Sequence, residues 1–261
     1  MWFFYRVRVT FIGFLILFNC AERKGGIVSL VPSADMIIYE IGAGERLVGV
    51  STYSPIKGSK TVVGDLINPD YERIRSLSPD LVIITLPMQN RVKERLENLG
   101  MKTYDFSPES VEELIRDILD LGRVLGKEEG AKKLADSIER VLRGIEPVGD
   151  FSFVVIISES PIFVAGRNTY ISEILKLFGG KNHFSYLDGY KGVSVEEVLS
   201  GNFDVVVVPY EFSGRIGFEN KCIIKLSPDQ ISPGLEIFSL IDSLRSRIAV
   251  CVEKNLVRPI R

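Results

Sequence analysis

The sequence predicts an α/β protein of two similar Rossmann-like lobes with parallel sheets, joined by a long backbone helix. Apolar runs of strand length alternate with amphipathic helical segments in both halves of the chain. Between the halves, the stretch 108–146 keeps helical spacing throughout. The helix and strand pattern at 68–84 also returns at 193–208. A pattern repeated on either side of a helical connection indicates two lobes of one architecture.

Composition favours a globular protein and gives no argument for nucleic acid as a partner. The chain has 261 residues, of which 46% are hydrophobic and 25% are charged. This length is enough for two lobes that each have a core. The net charge is −2, and no dense basic run with interleaved aromatic residues occurs.

The first twenty residues have the pattern of an export signal. Two arginines precede an apolar run at 9–18, which is short for a bilayer span but suits the hydrophobic region of a secretory signal. Cys20 ends the sequence "LFNC", where a bacterial lipoprotein signal has its lipidated cysteine, although the two residues before it are bulkier than usual. We therefore interpret 1–20 as a lipoprotein-type signal with Cys20 as the lipidation site. An uncleaved membrane anchor and a plain secretory signal remain alternatives.

The first lobe is predicted at 25–107, where strands and helices alternate. Ser33 is the expected N-cap of the first helix, and Asn68 the N-cap of the second, with Pro69 at its first helical position. The run at 81–85 is continuously apolar, as expected inside a parallel sheet. The elements follow in the order strand 27–31, helix 33–44, strand 46–51, helix from 68, strand 81–85, helix 90–100 and strand 102–106.

The stretch 108–146 is predicted to be the connecting backbone helix. Apolar residues recur at 111, 114, 115, 118, 121 and 125, and again at 131, 134, 138, 141, 142 and 145. This spacing predicts helix with a break near Gly126. The stretch is too long for an ordinary crossover in a compact sheet, so a helix that joins two lobes explains it better.

The second lobe, 147–261, restarts the alternation of strand and helix. Its predicted elements are strands at 151–158, 162–166, 204–209 and 222–226, and helices at 168–182, 194–201 and 234–252. Cys222 and Cys251 form either a disulfide, which an exported compartment permits, or two buried thiols. His183, the only histidine, is interpreted as structural because it has no partner that would complete a metal site.

The repeat places one acid at the same point of each lobe. Aligning Asp80 with Asp204 puts Glu72 over Glu196, because both pairs differ by 124 positions. Ser194 and Glu197 fit a capping box, which leaves Glu196 free to point outward. An acid in the first turn of a helix also stabilises the helix dipole, so a purely local role is the alternative.

The ordered set of segments resembles a known family of receptors. The segments are "IVSLVPSADMIIYEIGAGERLVGVSTYS", "NPDYERIRSLSPDLVI", "LENLGMKTYDF", "ISEILKLFGGKNHF" and "GVSVEEVLSGNFDVVVV". Together they resemble the periplasmic or lipoprotein substrate-binding proteins of ABC importers for cobalamin, haem and ferric siderophores. The resemblance covers essentially all of the chain after the signal and implies the class III periplasmic-binding-protein fold.

The resemblance implies a function, partners and a site. A monomer would bind a metal chelate between the lobes, without a cofactor of its own, and deliver it to an ABC permease dimer at the membrane. Glu72 and Glu196 would dock on the two permease subunits. Loops at the carboxyl ends of strands would bind the chelate. The candidate ligand-binding residues are Ser33, Tyr53, Asp65, Leu66 and Pro87 in the first lobe, and Arg167, Tyr186, Tyr190, Tyr210 and Arg215 in the second.

The chelate and the alternatives stay open at this point. Cobalamin-binding relatives tend to place tryptophans in the cleft, whereas Trp2, inside the signal, is the only tryptophan here. An exported metal-dependent α/β enzyme is one alternative, although no G-x-S-x-G, H-E-x-x-H or P-loop motif occurs. A relative that binds no ligand and acts as a scaffold in a membrane complex is the other.

Overall fold

A computed structural model of the chain describes residues 25–214, 216–254 and 256–259. The first lobe contains a parallel five-stranded sheet in the order β3-β2-β1-β4-β5. Its strands are β1 Ile27–Ser29, β2 Leu47–Val50, β3 Thr61–Val62, β4 Leu81–Ile84 and β5 Thr103–Asp105. Its helices are α1 Pro32–Ile38, α2 Tyr71–Ser76 and α3 Asn90–Asn98. The parallel α/β architecture predicted for this lobe is confirmed.

Two predicted helix caps in the first lobe are wrong. The N-cap of α1 is Val31 and has no side-chain hydrogen bond, because Pro32 already takes the first helical position and Ser33 follows inside the helix. The N-cap of α2 is Asp70, not Asn68, and its side chain accepts a hydrogen bond from the Arg73 amide at 3.0 Å. The amides of 67 and 68 donate instead to the carboxylate of Asp65, which holds this stretch in a turn before the helix.

The stretch predicted as one long helix forms two helices, α4 Val111–Leu125 and α5 Glu128–Arg143. The expected break is real, since Gly126 adopts the left-handed conformation (φ 63°, ψ 44°) that ends α4. The continuity of the helix is wrong, because the chain reverses there and α5 packs against α4. At Gly122 an added Cβ would lie 2.3 Å from the Cβ of Ala131, so a side chain at 122 would prevent this close packing.

The second lobe contains a mixed sheet. Its strands are β6 Gly149–Glu159, β7 Ile162–Ala165, β8 Gly180–Asn182, β9 Tyr190–Gly192, β10 Val205–Pro209, β11 Cys222–Leu226 and β12 Arg258–Pro259. Its helices are α6 Tyr170–Leu177, α7 Val195–Leu199, α8 Pro228–Ile231 and α9 Ile237–Glu253. Strands β8, β6, β10 and β11 pair in parallel, whereas β7, β9 and β12 pair antiparallel. The expectation of a wholly parallel sheet is therefore wrong for this lobe.

One apolar core runs through both lobes and the helical pair. It includes Ile37 of α1, Leu114 and Ile118 of α4, and Leu240 of α9, all fully buried. Where α4 begins, the Val111 amide donates to the carboxylate of Glu173 on α6 at 2.8 Å. The helical pair is thus packed against both lobes, and separation of the lobes would expose this core.

A disulfide joins Cys222 at the start of β11 to Cys251 on α9, with a Cα–Cα distance of 5.8 Å. Of the two alternatives for these cysteines, a disulfide or two buried thiols, the structure shows the disulfide. The ring of His183 contacts the rings of Phe184 and Phe203 at centroid distances of 4.9 and 5.8 Å, as expected of a structural histidine.

Within the described ranges, no helix is long and apolar enough to cross a membrane. The predicted signal 1–20, Cys20 and Arg215 lie outside the described residues.

Candidate ligand-binding cleft

A cleft of about 410 Å³ lies between the lobes. On the first lobe it is lined by residues that follow the carboxyl ends of the parallel strands, where α/β proteins place ligands. They include Ser33, Tyr53, Leu66, Thr85, Met88 and Phe106. On the second lobe the wall is formed by Asp229 of α8 and by the loop between α8 and α9. The lining residues there are Asp229, Ser232, Pro233, Gly234, Leu235 and Glu236.

Gln89 positions the apolar part of the first-lobe wall. Its side chain is fully buried, accepts a hydrogen bond from the Thr85 amide at 2.7 Å and donates to the Leu66 carbonyl at 2.6 Å. It therefore joins the loop after β4 to the loop that carries Leu66. Between these anchors the side chain of Met88 remains 63% exposed and faces the cleft. Nothing in the sequence indicates this role for Gln89, because a polar residue at the start of a helix is ordinarily exposed.

Tyr53 and Leu66 are predicted site residues that line the cleft, as does Ser33. The Tyr53 side chain is 66% exposed, so a ligand that fills the cleft would cover it. Asp65 and Pro87 lie next to lining residues but do not line the cleft themselves. The carboxylate of Asp65 instead accepts the amides of Ile67 and Asn68 at 2.7 and 2.6 Å, and these hydrogen bonds lower its pKa.

The second-lobe candidates in the described residues do not line this cleft. Arg167 lies 3.5 Å from Asp188 in an exposed ion pair. Tyr190 lines a separate groove with Glu109, Glu113 and Glu173, and burial, reinforced by Glu109 and Glu173, raises its pKa to about 12.

Two further tyrosines of the second lobe also lie outside the cleft. Tyr186 is 62% exposed and packs near Phe184, with a distance of 6.0 Å between ring centroids. The Tyr210 hydroxyl accepts a hydrogen bond from Arg247 at 3.3 Å. Tyr210 adjoins a smaller pocket lined by Pro209, Glu211 and Phe212, which shares Ser232 with the cleft. A ligand role for these four residues of the second lobe remains a prediction, one that would require contacts beyond the cleft.

The charge of the cleft is negative. Asp229 and Glu236 line it, and no lysine, arginine or histidine lines it among the described residues. Glu236 is oriented by a hydrogen bond that the Ser239 hydroxyl donates to its carboxylate at 2.7 Å. In the described part of the chain, no group of three His, Cys, Asp or Glu side chains is arranged to hold a metal ion. The cleft therefore offers carboxylate acceptors and an apolar wall.

The lobes meet at the cleft through Gly234. An added Cβ at this position would lie 3.1 Å from the Cβ of Ser33 on α1. This distance is shorter than an ordinary carbon–carbon contact, so the absence of a side chain at 234 permits the approach. The 232–236 loop was not among the predicted site residues, because it follows a short helix and not the end of a strand.

The two repeated acids lie on matching helices. Glu72 is in the first turn of α2, and Glu196 is in the first turn of α7; both are exposed. The capping box predicted for α7 is confirmed, because Ser194 accepts from the Glu197 amide and Glu197 accepts from the Ser194 amide. Glu196 takes no part in it, and its position leaves it available to a partner.

Comparison with known proteins agrees with this architecture. A family model described as periplasmic binding protein matches residues 27–216. A vitamin B12-binding protein of Vibrio cholerae is 32% identical over 192 residues, which cover 69% of this chain and 67% of that protein. An ABC transporter substrate-binding lipoprotein of Bacillus subtilis is 30% identical over 196 residues, which cover 69% and 62% of the two chains.

A solved structure extends the likeness to the fold. A possible iron-binding, periplasmic solute-binding protein from Staphylococcus epidermidis superposes with a TM-score of 0.73 at 25% identity. The match covers 85% of this chain and 97% of that one. The names of the family and of these relatives describe solute-binding proteins. The chain belongs to the periplasmic binding protein family and is a binding protein, not an enzyme.

Proposed function

We propose that the chain is the extracytoplasmic solute-binding protein of an ABC importer and captures a metal chelate in the cleft between its lobes. The observation that carries this proposal is the cleft itself, whose walls come from both lobes and whose volume lies in the range of small-molecule sites, about 300–1,000 Å³. Tyr53, Leu66 and Met88 provide apolar and aromatic surface that suits the face of a macrocycle.

The charge of the cleft favours a corrinoid over an anionic chelate. Haem carries propionates and many ferric siderophore complexes are anions, so both would bring negative charge towards Asp229 and Glu236. A corrin ring bears amide side chains, whose N–H groups donate to carboxylates. The name of the Vibrio cholerae relative supports the same ligand class.

A binding screen tests this proposal. Thermal unfolding is measured with cyanocobalamin, dicyanocobinamide, haemin and several ferric siderophores. A chelate present at about 100 times its Kd should stabilise the protein by about 2.7 kcal/mol. Corrinoids are expected to stabilise most. Stabilisation by anionic chelates alone would contradict the charge argument, and stabilisation by none would favour a scaffold that binds no solute.

Substitutions in the wall locate the site. Tyr53→Ala and Met88→Ala should each weaken corrinoid binding about tenfold or more, because each removes an exposed side chain that lines the cleft. Tyr39→Ala is the matched control, since Tyr39 is similarly exposed but lies outside the cleft and is not a candidate ligand-binding residue. Equal losses in all three variants would argue against this location. Binding is measured by titration calorimetry.

The membrane partners belong to the same proposal. Glu72 and Glu196 would dock on basic residues of the two permease subunits, and Cys20 would carry a lipid anchor. The disulfide between Cys222 and Cys251 supports an exported location, because such bonds persist in oxidising compartments. Cys20→Ser should release the protein from the membrane fraction of cells, whereas continued association would indicate an uncleaved anchor.

A further inference from the structure

Asp35 is a fully buried acid directly behind the cleft wall. It lies on α1 between Ser33 and Met36, which both line the cleft, and its own side chain is 0% exposed. Neither carboxylate oxygen has a hydrogen bond of regular geometry among the described residues. An ionised carboxylate in such a place is unfavourable, because it has lost water and the two hydroxyls that face it, those of Ser29 and Ser54, compensate only in part.

The groups that face Asp35 are hydroxyls. Burial raises the pKa of Asp35 to about 7, and the hydroxyls of Ser29 on β1 and Ser54 after β2 lower it by a smaller amount. The Ser29 hydroxyl already donates to the Val31 carbonyl at 3.1 Å. No charged side chain of the described residues contributes to the shift. The only way to neutralise this carboxyl inside the closed wall is therefore to bind a proton.

The segment 51–55 connects Asp35 to the cleft. It carries Ser54 next to the acid and also Tyr53 and Pro55, which line the cleft. The hydroxyl of Ser51, at the start of the segment, is likewise buried without a hydrogen-bond partner. Few backbone hydrogen bonds hold the segment: the Thr52 amide donates to the Gly64 carbonyl and the Ser54 amide to Ser51. A loop held in this way moves more readily than α1 does.

We propose that Asp35 is a proton-binding group that couples the position of the segment 51–55 to pH, so that the cleft binds its chelate more tightly when Asp35 is protonated. Ionisation favours entry of water between the segment and α1, which displaces Tyr53 and Pro55 from the cleft. A bound chelate covers these two residues and keeps water away from the acid. The complex then holds the proton more tightly than the free protein, and by linkage the proton strengthens chelate binding equally.

This inference rests on the proposed function, and its first test uses cyanocobalamin as the probe. The Kd is measured from about pH 6 to about pH 8.5 in the wild type and in Asp35→Asn. In the wild type it should be constant below about pH 7 and about tenfold weaker at about pH 8.5, which corresponds to a pKa one unit higher in the complex. In Asp35→Asn the Kd should not vary with pH.

Asp117→Asn is the matched control. Asp117 lies on α4, does not line the cleft, and burial raises its pKa to about 6. This variant should follow the wild type. A Kd that is constant with pH in the wild type, or that varies equally in Asp35→Asn, would overturn the proposal.

A second measurement needs no ligand. Hydrogen exchange of the amides at 51–56, corrected for the intrinsic effect of pH, should show protection that falls above about pH 7 in the wild type and not in Asp35→Asn. Equal protection in both proteins at every pH would overturn the coupling. If the coupling is seen but cyanocobalamin binds at no pH, the proposed ligand is wrong and the role of Asp35 stands.

Discussion

Replacing Asp35 by asparagine should stabilise the protein, by an amount that increases with pH. The pKa of this carboxyl is 3.8 in the ordinary case and about 7 in the fold. Between these values the unfolded chain releases a proton that the folded chain retains. The free energy of unfolding of the wild type therefore falls as pH rises from about 4 to about 7 and levels off above that range. Asparagine is never ionised and avoids this loss.

The size of the effect follows from the two pKa values. They differ by about three units, and each unit corresponds to about 1.4 kcal/mol. Since the side chain is fully buried, solvent does not screen the effect. We expect Asp35→Asn to raise the free energy of unfolding by about 4 kcal/mol at about pH 8 and by about 2 kcal/mol at about pH 5, which lies only about one unit above the pKa of this carboxyl in the unfolded chain.

Urea unfolding followed by far-UV circular dichroism, at these two pH values and constant ionic strength, measures the difference. Asp117→Asn is again the control, because Asp117 is only partly buried and its raised pKa is about 6. Its gain should be smaller and should level off about one pH unit earlier. A gain for Asp35→Asn that is the same at both pH values, or a loss that grows with pH, would show that the Asp35 carboxylate is hydrated or paired, and the reasoning would fail.

Three further predictions concern other parts of the molecule. Removing the disulfide with Cys222→Ser and Cys251→Ser should lower the free energy of unfolding by about 3.6 kcal/mol, the loop entropy for a sequence separation of 29, as measured by urea unfolding. Charge reversal with Glu72→Lys and Glu196→Lys should abolish uptake in cells and leave the chelate Kd unchanged; a weaker Kd would refute the docking role. Gly234→Val should weaken chelate binding, because the new side chain forces the lobes apart at the cleft.

Gly217→Val is the matched control for Gly234→Val. An added Cβ at Gly217 would have no neighbour within 4 Å, so this variant changes the same residue type without a steric conflict. Its Kd should equal that of the wild type. Small-angle scattering of the two variants would show whether only Gly234→Val increases the distance between the lobes.

The first-lobe wall was predictable because its strands are parallel. Continuous apolar runs identified β1 and β4, and the carboxyl ends of parallel strands lie at one edge of a sheet, so Tyr53 and Leu66 could be placed together. The same reasoning does not place Arg167 and Tyr190 in the wall of this cleft, and their ligand role remains a prediction. Strand β7 runs antiparallel to β6, so the residues after it emerge at the opposite edge. The apolar pattern of β7 would be the same in a parallel strand, so the sequence does not indicate the direction of this strand.

Other features have no signal in the sequence. A reversal of the chain at Gly126 and a simple helix break there would give the same apolar spacing. The reversal is favoured by the close packing of Gly122 against Ala131. The positioning role of Gln89 depends on hydrogen bonds to residues 4 and 23 positions away. The burial of Asp35 depends on the segment 51–55, which lies 16 to 20 positions further along the chain and covers the carboxylate. Helix periodicity alone does not predict that this side chain is buried.

The distribution of the core determines where ligand binding can produce movement. The core continues from α1 through α4 to α9, so a wide opening of the lobes would expose apolar side chains that are now fully buried. The segment 51–55 is less constrained, because only Ser51 and Ser54 of its side chains are buried and its cleft-facing Tyr53 is 66% exposed. We therefore expect changes in chelate affinity to come from movement of this segment and not from a change in the angle between the lobes. A buried acid placed beside this segment controls the part of the site that costs least to move.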